Sequence, residues 1–186
     1  MLLADGAFSC GCDDCRALVG TACDVAGPGH ARALRAGDTV RVGKFSCTAV
    51  WPYEFEEEGG NADSLCLLVG YDMQGDGEPE ASVLLTGDAE ARQIREMLDR
   101  AGIERVDVLK AGHHGSKAGV DEGFARRVGS KIALVSVGEN NRYGHPSSEA
   151  LEEFARGGMD VFRTDEQGDV ACCFEGDAIE VFVQKG

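Results

Sequence analysis

Basic charge, proline and long apolar runs are all in short supply in this sequence. Lys and Arg number 18 against 33 Asp and Glu, a formal charge of −15. Such a surface repels phosphate backbones at long range. It excludes a generic electrostatic nucleic-acid binder, but not a metal-dependent enzyme acting on phosphodiesters, whose cations reverse the field locally. No run approaches the roughly 18 apolar residues of a membrane helix. Met1-Leu2-Leu3-Ala4-Asp5-Gly6 has neither a basic start nor a long apolar core, so no signal peptide is read and the chain is expected to be soluble. With only 4 prolines, chain reversal falls to the 26 glycines, which separate short apolar runs throughout.

What is present is enough for one domain. At 186 residues, 43% of them hydrophobic, the chain can build its own core, and its 8 cysteines are not needed as its sole staple. Cys10-Gly11-Cys12-Asp13-Asp14-Cys15, with Cys23, offers either four thiolates to a structural zinc or free or disulfide-bonded cysteines. Cys66 lies in an apolar run and reads as core. Cys172 and Cys173 are adjacent on an expected strand, so they point to opposite faces and a bridge between them is not expected. Glu54 to Gly60 reads as an exposed acidic loop. Trp51 and Phe55 beside it are either packing residues or rings that stack on a base.

Residues 1–36 show little periodicity and form a Cys-containing lead-in; residues 37–186 are read as the patterned domain. Thr39 to Val50 predicts one or two strands broken at Gly43-Lys44. Ser64–Tyr71 and Ala81–Thr86 predict a hairpin across a polar turn. Ile94, Met97, Leu98 and Ala101 fall on one face of a helix from about Ala89 that Gly102 would stop. Val106–Leu109 predicts a strand. Asp121 is expected to cap a short helix carrying Phe124 and Val128. Ile132–Val137, apolar on both faces, predicts a central strand. Pro146 suits the first turn of a helix whose inner face is Leu151, Phe154 and Ala155. Val161–Arg163, Val170–Phe174 and Ile179–Val183 close the chain as short strands. Alternating strands and helices give an α/β domain.

Three expected strands end in glycine-bearing turns that carry polar groups. Leu84-Leu85-Thr86-Gly87-Asp88 delivers a carboxylate. Leu109-Lys110-Ala111-Gly112-His113-His114-Gly115-Ser116-Lys117 delivers two imidazoles. Val135-Ser136-Val137-Gly138-Glu139-Asn140-Asn141-Arg142-Tyr143-Gly144-His145-Pro146 delivers a third. Carboxylate with neutral imidazole suits zinc or manganese. The alternative is that Asp88 caps the next helix and the histidines are hydrogen-bonded turn residues. Lys110 and Lys117 flank the histidine pair, either to offset the acidic field or as solvated lysines.

These segments, with Asn61, Asp63 and Ser64 before the hairpin, Asp107-Val108-Leu109-Lys110, and Arg163-Thr164-Asp165 with Gly168, occur in the same order in the metallo-β-lactamase-like domain of the ComEC competence (DNA-uptake) proteins. The sequence resembles that family from about Gly37 onward. The resemblance implies an αββα sandwich with a dinuclear metal site at the strand ends. In it Asp88 would bridge two metals and His114, in preference to His113, would ligate the second. The other histidine of the pair would hydrogen-bond or protonate the substrate, and His145 would line the pocket. It implies a metal-dependent, nuclease-like phosphodiester hydrolase. DNA is the expected partner, a single strand or a strand being degraded, and the parent would be a membrane protein with this domain on its outer side. The family's principal His-x-His-x-Asp-His motif is absent, and His30 has no ligand-spaced partner. The chain is therefore expected to be the C-terminal part of the sandwich, inactive alone and prone to self-association through an apolar sheet face. The competing readings are a degenerate, non-catalytic interaction module and a hydrolase of another phosphoester.

Overall fold

The computed structural model describes residues 34–55, 60–176 and 178–185. The Cys10, Cys12, Cys15 and Cys23 group, His30 and most of the acidic loop lie outside the described residues. Four strands open the fold as an antiparallel meander: β1 (Thr39–Val42), β2 (Phe45–Trp51), β3 (Cys66–Tyr71) and β4 (Ala81–Leu85). The break at Gly43-Lys44 and the hairpin across the polar turn both form as the sequence predicts. From β4 the connections become helical and the pairing parallel. Helix α1 (Ala91–Ala101) leads to β5 (Val108–Lys110), α2 (Phe124–Val128) to β6 (Ile132–Val135), and α3 (Ser148–Arg156) to β7 (Asp160–Arg163). The seven strands form one mixed sheet in the order β1-β2-β3-β4-β5-β6-β7. A one-turn helix, α4 (Thr164–Gln167), then leads into a separate hairpin of β8 (Val170–Glu175) and β9 (Ala178–Val183). The α/β class is as the sequence predicts.

The core lies between one sheet face and the helices. Ile94, Met97 and Leu98 of α1, Phe124 and Val128 of α2, and Phe154 of α3 pack on Cys66, Leu84, Leu109, Ala133 and Val135. Phe154 is fully buried, so truncating it to alanine costs about 3–5 kcal/mol. On the other face Leu67, Val69, Val83, Leu85 and Leu134 are only half-buried. There β8 flanks an apolar groove of about 370 Å³, lined by Phe45, Val69, Tyr71, Ala81 and Val83 opposite Cys172, Cys173 and Phe174.

Four local expectations need correction. Ala101 is exposed rather than on the inner face of α1, because the helix ends there: Gly102 turns left-handed and its N–H returns to Asp99 and Leu98. Asp121 does not cap α2. Gly123 holds the cap position, and the Asp121 carboxylate pairs with Arg95 at 2.7 Å. Pro146 precedes α3 rather than opening it; Ser147 is the cap, its hydroxyl accepting from Ala150 N–H. The buried face of α3 is Ala150, Glu153 and Phe154, with Ala155 exposed. Glu153 reaches the interior because one carboxylate oxygen accepts from Ala125 N–H at 3.3 Å and the other pairs with Arg156 at 3.4 Å. The cysteine readings fare better. Cys66 is fully buried, and burial pushes its thiol up to about 12. Cys172 and Cys173 are both free thiols.

Candidate metal centre

Strands β4, β5 and β6 run parallel with Leu85, Lys110 and Leu134 in register, so their carboxyl ends open on one edge of the sheet. All three polar turns emerge there. The turns are tied to one another by backbone and side-chain bonds. Fully buried Thr86 donates its hydroxyl to the Lys110 carbonyl at 2.9 Å. His113 N–H donates to the Gly87 carbonyl at 3.0 Å, and Ser147 N–H to the Gly115 carbonyl at 2.9 Å. Ser64 joins from the lead-in to β3, its hydroxyl accepting from Asp88 N–H at 3.1 Å. Two glycines make the close packing possible. A Cβ at Gly115 would lie 2.7 Å from Pro146 Cβ, and one at Gly112 would lie 3.0 Å from the Ala89 carbonyl oxygen.

His113 and His114 themselves sit in left-handed backbone, at φ 47° and 54°. For residues with a Cβ this conformation costs about 1–2 kcal/mol each. Such strain persists only where surrounding contacts over-determine it, and it clusters at functional sites. Here the contacts are the His113 bond to Gly87 and a Ser116 N–H that donates to the His113 carbonyl at 2.9 Å.

The outcome is a pair of facing donor atoms. His114 Nε2 lies 3.6 Å from Asp88 Oδ1. The other ring nitrogen, Nδ1, lies 2.7 Å from the Ser136 carbonyl oxygen. A carbonyl only accepts, so in the neutral ring Nδ1 carries the hydrogen and the Nε2 lone pair faces the carboxylate. Two lone-pair atoms held that way favour a cation between them, and a backbone carbonyl fixing the far nitrogen is a common second partner of a metal-bound histidine. Ligand bonds of about 2.0–2.1 Å at a tetrahedral angle give a ligand–ligand separation of about 3.4 Å, close to that observed. The separation therefore suits zinc, and the carboxylate–imidazole donor types suit manganese as well. The donors are a partial set: among the described residues no third carboxylate, imidazole or thiolate joins the pair to make a three-ligand cluster.

His113 and His145 lie beside the pair, their rings edge-to-face at 5.8 Å. The Nδ1 atoms of both are buried without a hydrogen-bond partner among the described residues. Burial, and then the neighbouring charges of His113 and His114, hold His145 below the ordinary imidazole range. Burial likewise pulls the Lys110 ammonium down, partly offset by the Asp88 carboxylate. Lys117 is exposed. The structure thus brings Asp88 and His114 into facing contact and sets His113 and His145 alongside, while Lys117 stands in solvent. Trp51 packs on the core and donates its indole N–H to the Ala62 carbonyl at 2.6 Å, and Phe55 lies under the Arg35 guanidinium at 5.4 Å.

Sequence reasoning carried two supporting groups only as parts of a motif, without their roles. The Ser136 carbonyl is one. Asn141 is another: its amide accepts from His145 N–H at 3.0 Å and donates to the His145 and Gly138 carbonyls at 2.8 and 3.3 Å. An Asx signal in a glycine-bearing turn marks Asn141 in retrospect. A second acidic group, Asp72, Asp76 and Glu80, gathers in the β3–β4 turn. Its oxygens are engaged by that turn's own N–H groups, including those of Met73, Gly75 and Gly77, which accounts for the clustering.

Among proteins of known sequence, no family model matches the chain. Individual relatives do. ComE operon protein 3 of Bacillus subtilis is 33% identical over 137 residues, 74% of this chain and 17% of that protein. Recombination protein 2 of Haemophilus influenzae is 33% identical over 130 residues, 70% of this chain and 15% of the relative. Competence protein ComA of Neisseria gonorrhoeae is 30% identical over 89 residues, 47% of this chain and 13% of that protein. The chain is thus homologous to one segment of competence-related proteins. The resemblance to the ComEC family read from its turn motifs holds. It spans about a sixth of the length of the first two relatives, at 17% and 15%.

Proposed function

We propose that residues 37–186 form the C-terminal part of a metallo-β-lactamase-like αββα sandwich, and that the intact domain is a metal-dependent phosphodiester hydrolase serving DNA uptake. The facing of Asp88 and His114, with the imidazole tautomer set by Ser136, carries this reading. The half-buried sheet face around Val69 and Val83 supports it, since a second layer in front of that face would complete a sandwich. Competence-related names among the relatives support the DNA-uptake role; our reading further puts the parent in a membrane and this domain on its outer side. Among the described residues no helix is long and apolar enough to cross a membrane.

In this reading Asp88 and His114 would hold one or both of two divalent cations, zinc or manganese, whose remaining ligands would come from the rest of the domain. When bound, such cations make a water nucleophilic near neutral pH and stabilise charge growing on phosphorus. His113 and His145, whose rings meet beside His114, act on the substrate. One hydrogen-bonds a phosphate oxygen, and the other donates a proton to the leaving oxygen. Lys110, half-buried near the carboxylate, offsets the acidic field where the scissile phosphate sits. The partial ligand set favours one other reading, a non-catalytic module that keeps the turns for stability. Cleavage of single-stranded DNA by the full-length protein with manganese, beside Asp88→Ala and His114→Ala, separates the two. The hydrolase reading expects cleavage that both substitutions abolish. Cleavage retained in either variant removes the site assignment, and a folded, inactive wild type favours the module.

A further inference from the structure

One aromatic ring beside the histidines of this site has most of its surface in water. Tyr143 is 84% exposed, the highest value among the exposed large hydrophobic residues described. Its ring lies near-parallel to that of His145, at 6.0 Å and 14°, and His145 meets His113 edge-to-face at 5.8 Å. Three rings thus run in a row from solvent to the histidine pair. The loop that carries Tyr143 is locked: Asn141 N–H returns to the Gly138 carbonyl at 3.0 Å, and the Asn141 amide bonds both the N–H and the carbonyl of His145. The backbone that carries the ring is thus fixed on both sides, and a tyrosine, with two side-chain torsions, has little freedom to lose on binding. Exposed Arg142 sits next to it in the chain, a cation for a backbone phosphate on a protein whose net charge is otherwise −15.

The geometry points to Tyr143 as a stacking platform for an unpaired nucleobase next to the phosphate bound beside His113 and His145. This rests on the phosphodiester reading of that site and names the residue that engages the bases of an unpaired strand. Only an unpaired strand presents the face of a base to a side chain, and base–aromatic stacking is tolerant of sequence. Double-stranded DNA gains nothing from the ring.

The test compares the affinity of the full-length protein for a dT strand and for a strand of equal length and charge whose central nucleotides are abasic. With Tyr143 intact the dT strand binds about 5- to 150-fold more tightly, the range of one stacked base. Tyr143→Ala collapses that ratio toward one, while Tyr143→Phe and Tyr143→Trp keep it. At 84% exposure the substitution leaves the core untouched. A ratio unchanged in Tyr143→Ala, or a wild type that binds both strands equally, overturns the proposal. Cleavage with manganese is read separately in Asp88→Ala and His114→Ala. If cleavage depends on those two residues while the ratio ignores Tyr143, stacking fails and the hydrolase stands. If the ratio depends on Tyr143 while no strand is cleaved, stacking is upheld and the hydrolase fails.

Discussion

Replacing both histidines of the pair, once by alanine and once by glycine, measures the strain on which the site is built. Either double variant removes both imidazoles, so the comparison between them cancels side-chain losses, including the His114 bond to Ser136. What remains is the backbone. At φ 47° and 54° a Cβ costs about 1–2 kcal/mol per residue, whereas glycine's greater freedom in the unfolded chain costs about 0.5–1 kcal/mol. Glycine is favoured by about 0.5–1 kcal/mol at each position, hence by about 1–2 kcal/mol for the pair. That reverses the order found in ordinary helix or strand. In a chain of this size the gap corresponds to a Tm about 2–8 °C higher for the Gly-Gly protein than for the Ala-Ala protein. Thermal unfolding followed by circular dichroism, with urea titration as a second measure, reads it directly. An Ala-Ala protein as stable as the Gly-Gly protein, or more so, refutes the claim that the turn holds its histidines in a disfavoured conformation.

Further outcomes follow from the same contacts. Gly115→Ala places a methyl 2.7 Å from Pro146 Cβ at φ +77°, whereas Gly102→Ala at φ +64° meets nothing within 4 Å; both carry left-handed strain, and the first should lose about 1–3 kcal/mol more in urea titration. Equal losses would mean the two loops are not packed as described. The Arg163 guanidinium, bonded to both Asp165 oxygens, holds that carboxyl below its usual range. A lowered folded pKa gives stability that is full above about pH 4, the ordinary carboxylate value, and is lost as pH falls below it. Asp165→Asn should therefore be less stable by about 1–3 kcal/mol at neutral pH, with the gap closing on acidification. A gap that persists at pH 2 would contradict the pairing. Cys66, with its thiol pushed up to about 12 by burial, should resist iodoacetamide at pH 8 while exposed Cys173 is alkylated. Peptide mapping that finds both modified at one rate would remove Cys66 from the core.

Much of the fold was legible because its strands are apolar runs between glycines. Leu65 to Tyr71, Ala81 to Leu85 and Ile132 to Val135 announce themselves by composition, and their order along the chain is their order in the sheet. The misreadings share a cause, which is that local pattern does not register long-range partners. Glu153 looks like a surface residue until Ala125 N–H and Arg156 are brought to it. Asp121 looks like a cap until Arg95 claims its carboxylate. At the site, residue types at strand ends marked Asp88 and the three histidines, but nothing in the sequence marks the link from His114 to a carbonyl 22 residues away, which orients the ring. Nor does spacing alone show that Tyr143 lies against His145 rather than inside the fold.

Anomalous diffraction from crystals of the full-length protein grown with manganese tests the central claim most directly. The expected result is a manganese peak within ligand-bond distance of both Asp88 Oδ1 and His114 Nε2, with His114 Nδ1 still on the Ser136 carbonyl. Density elsewhere, at the Asp72–Asp76–Glu80 turn for example, with none between Asp88 and His114, would contradict it.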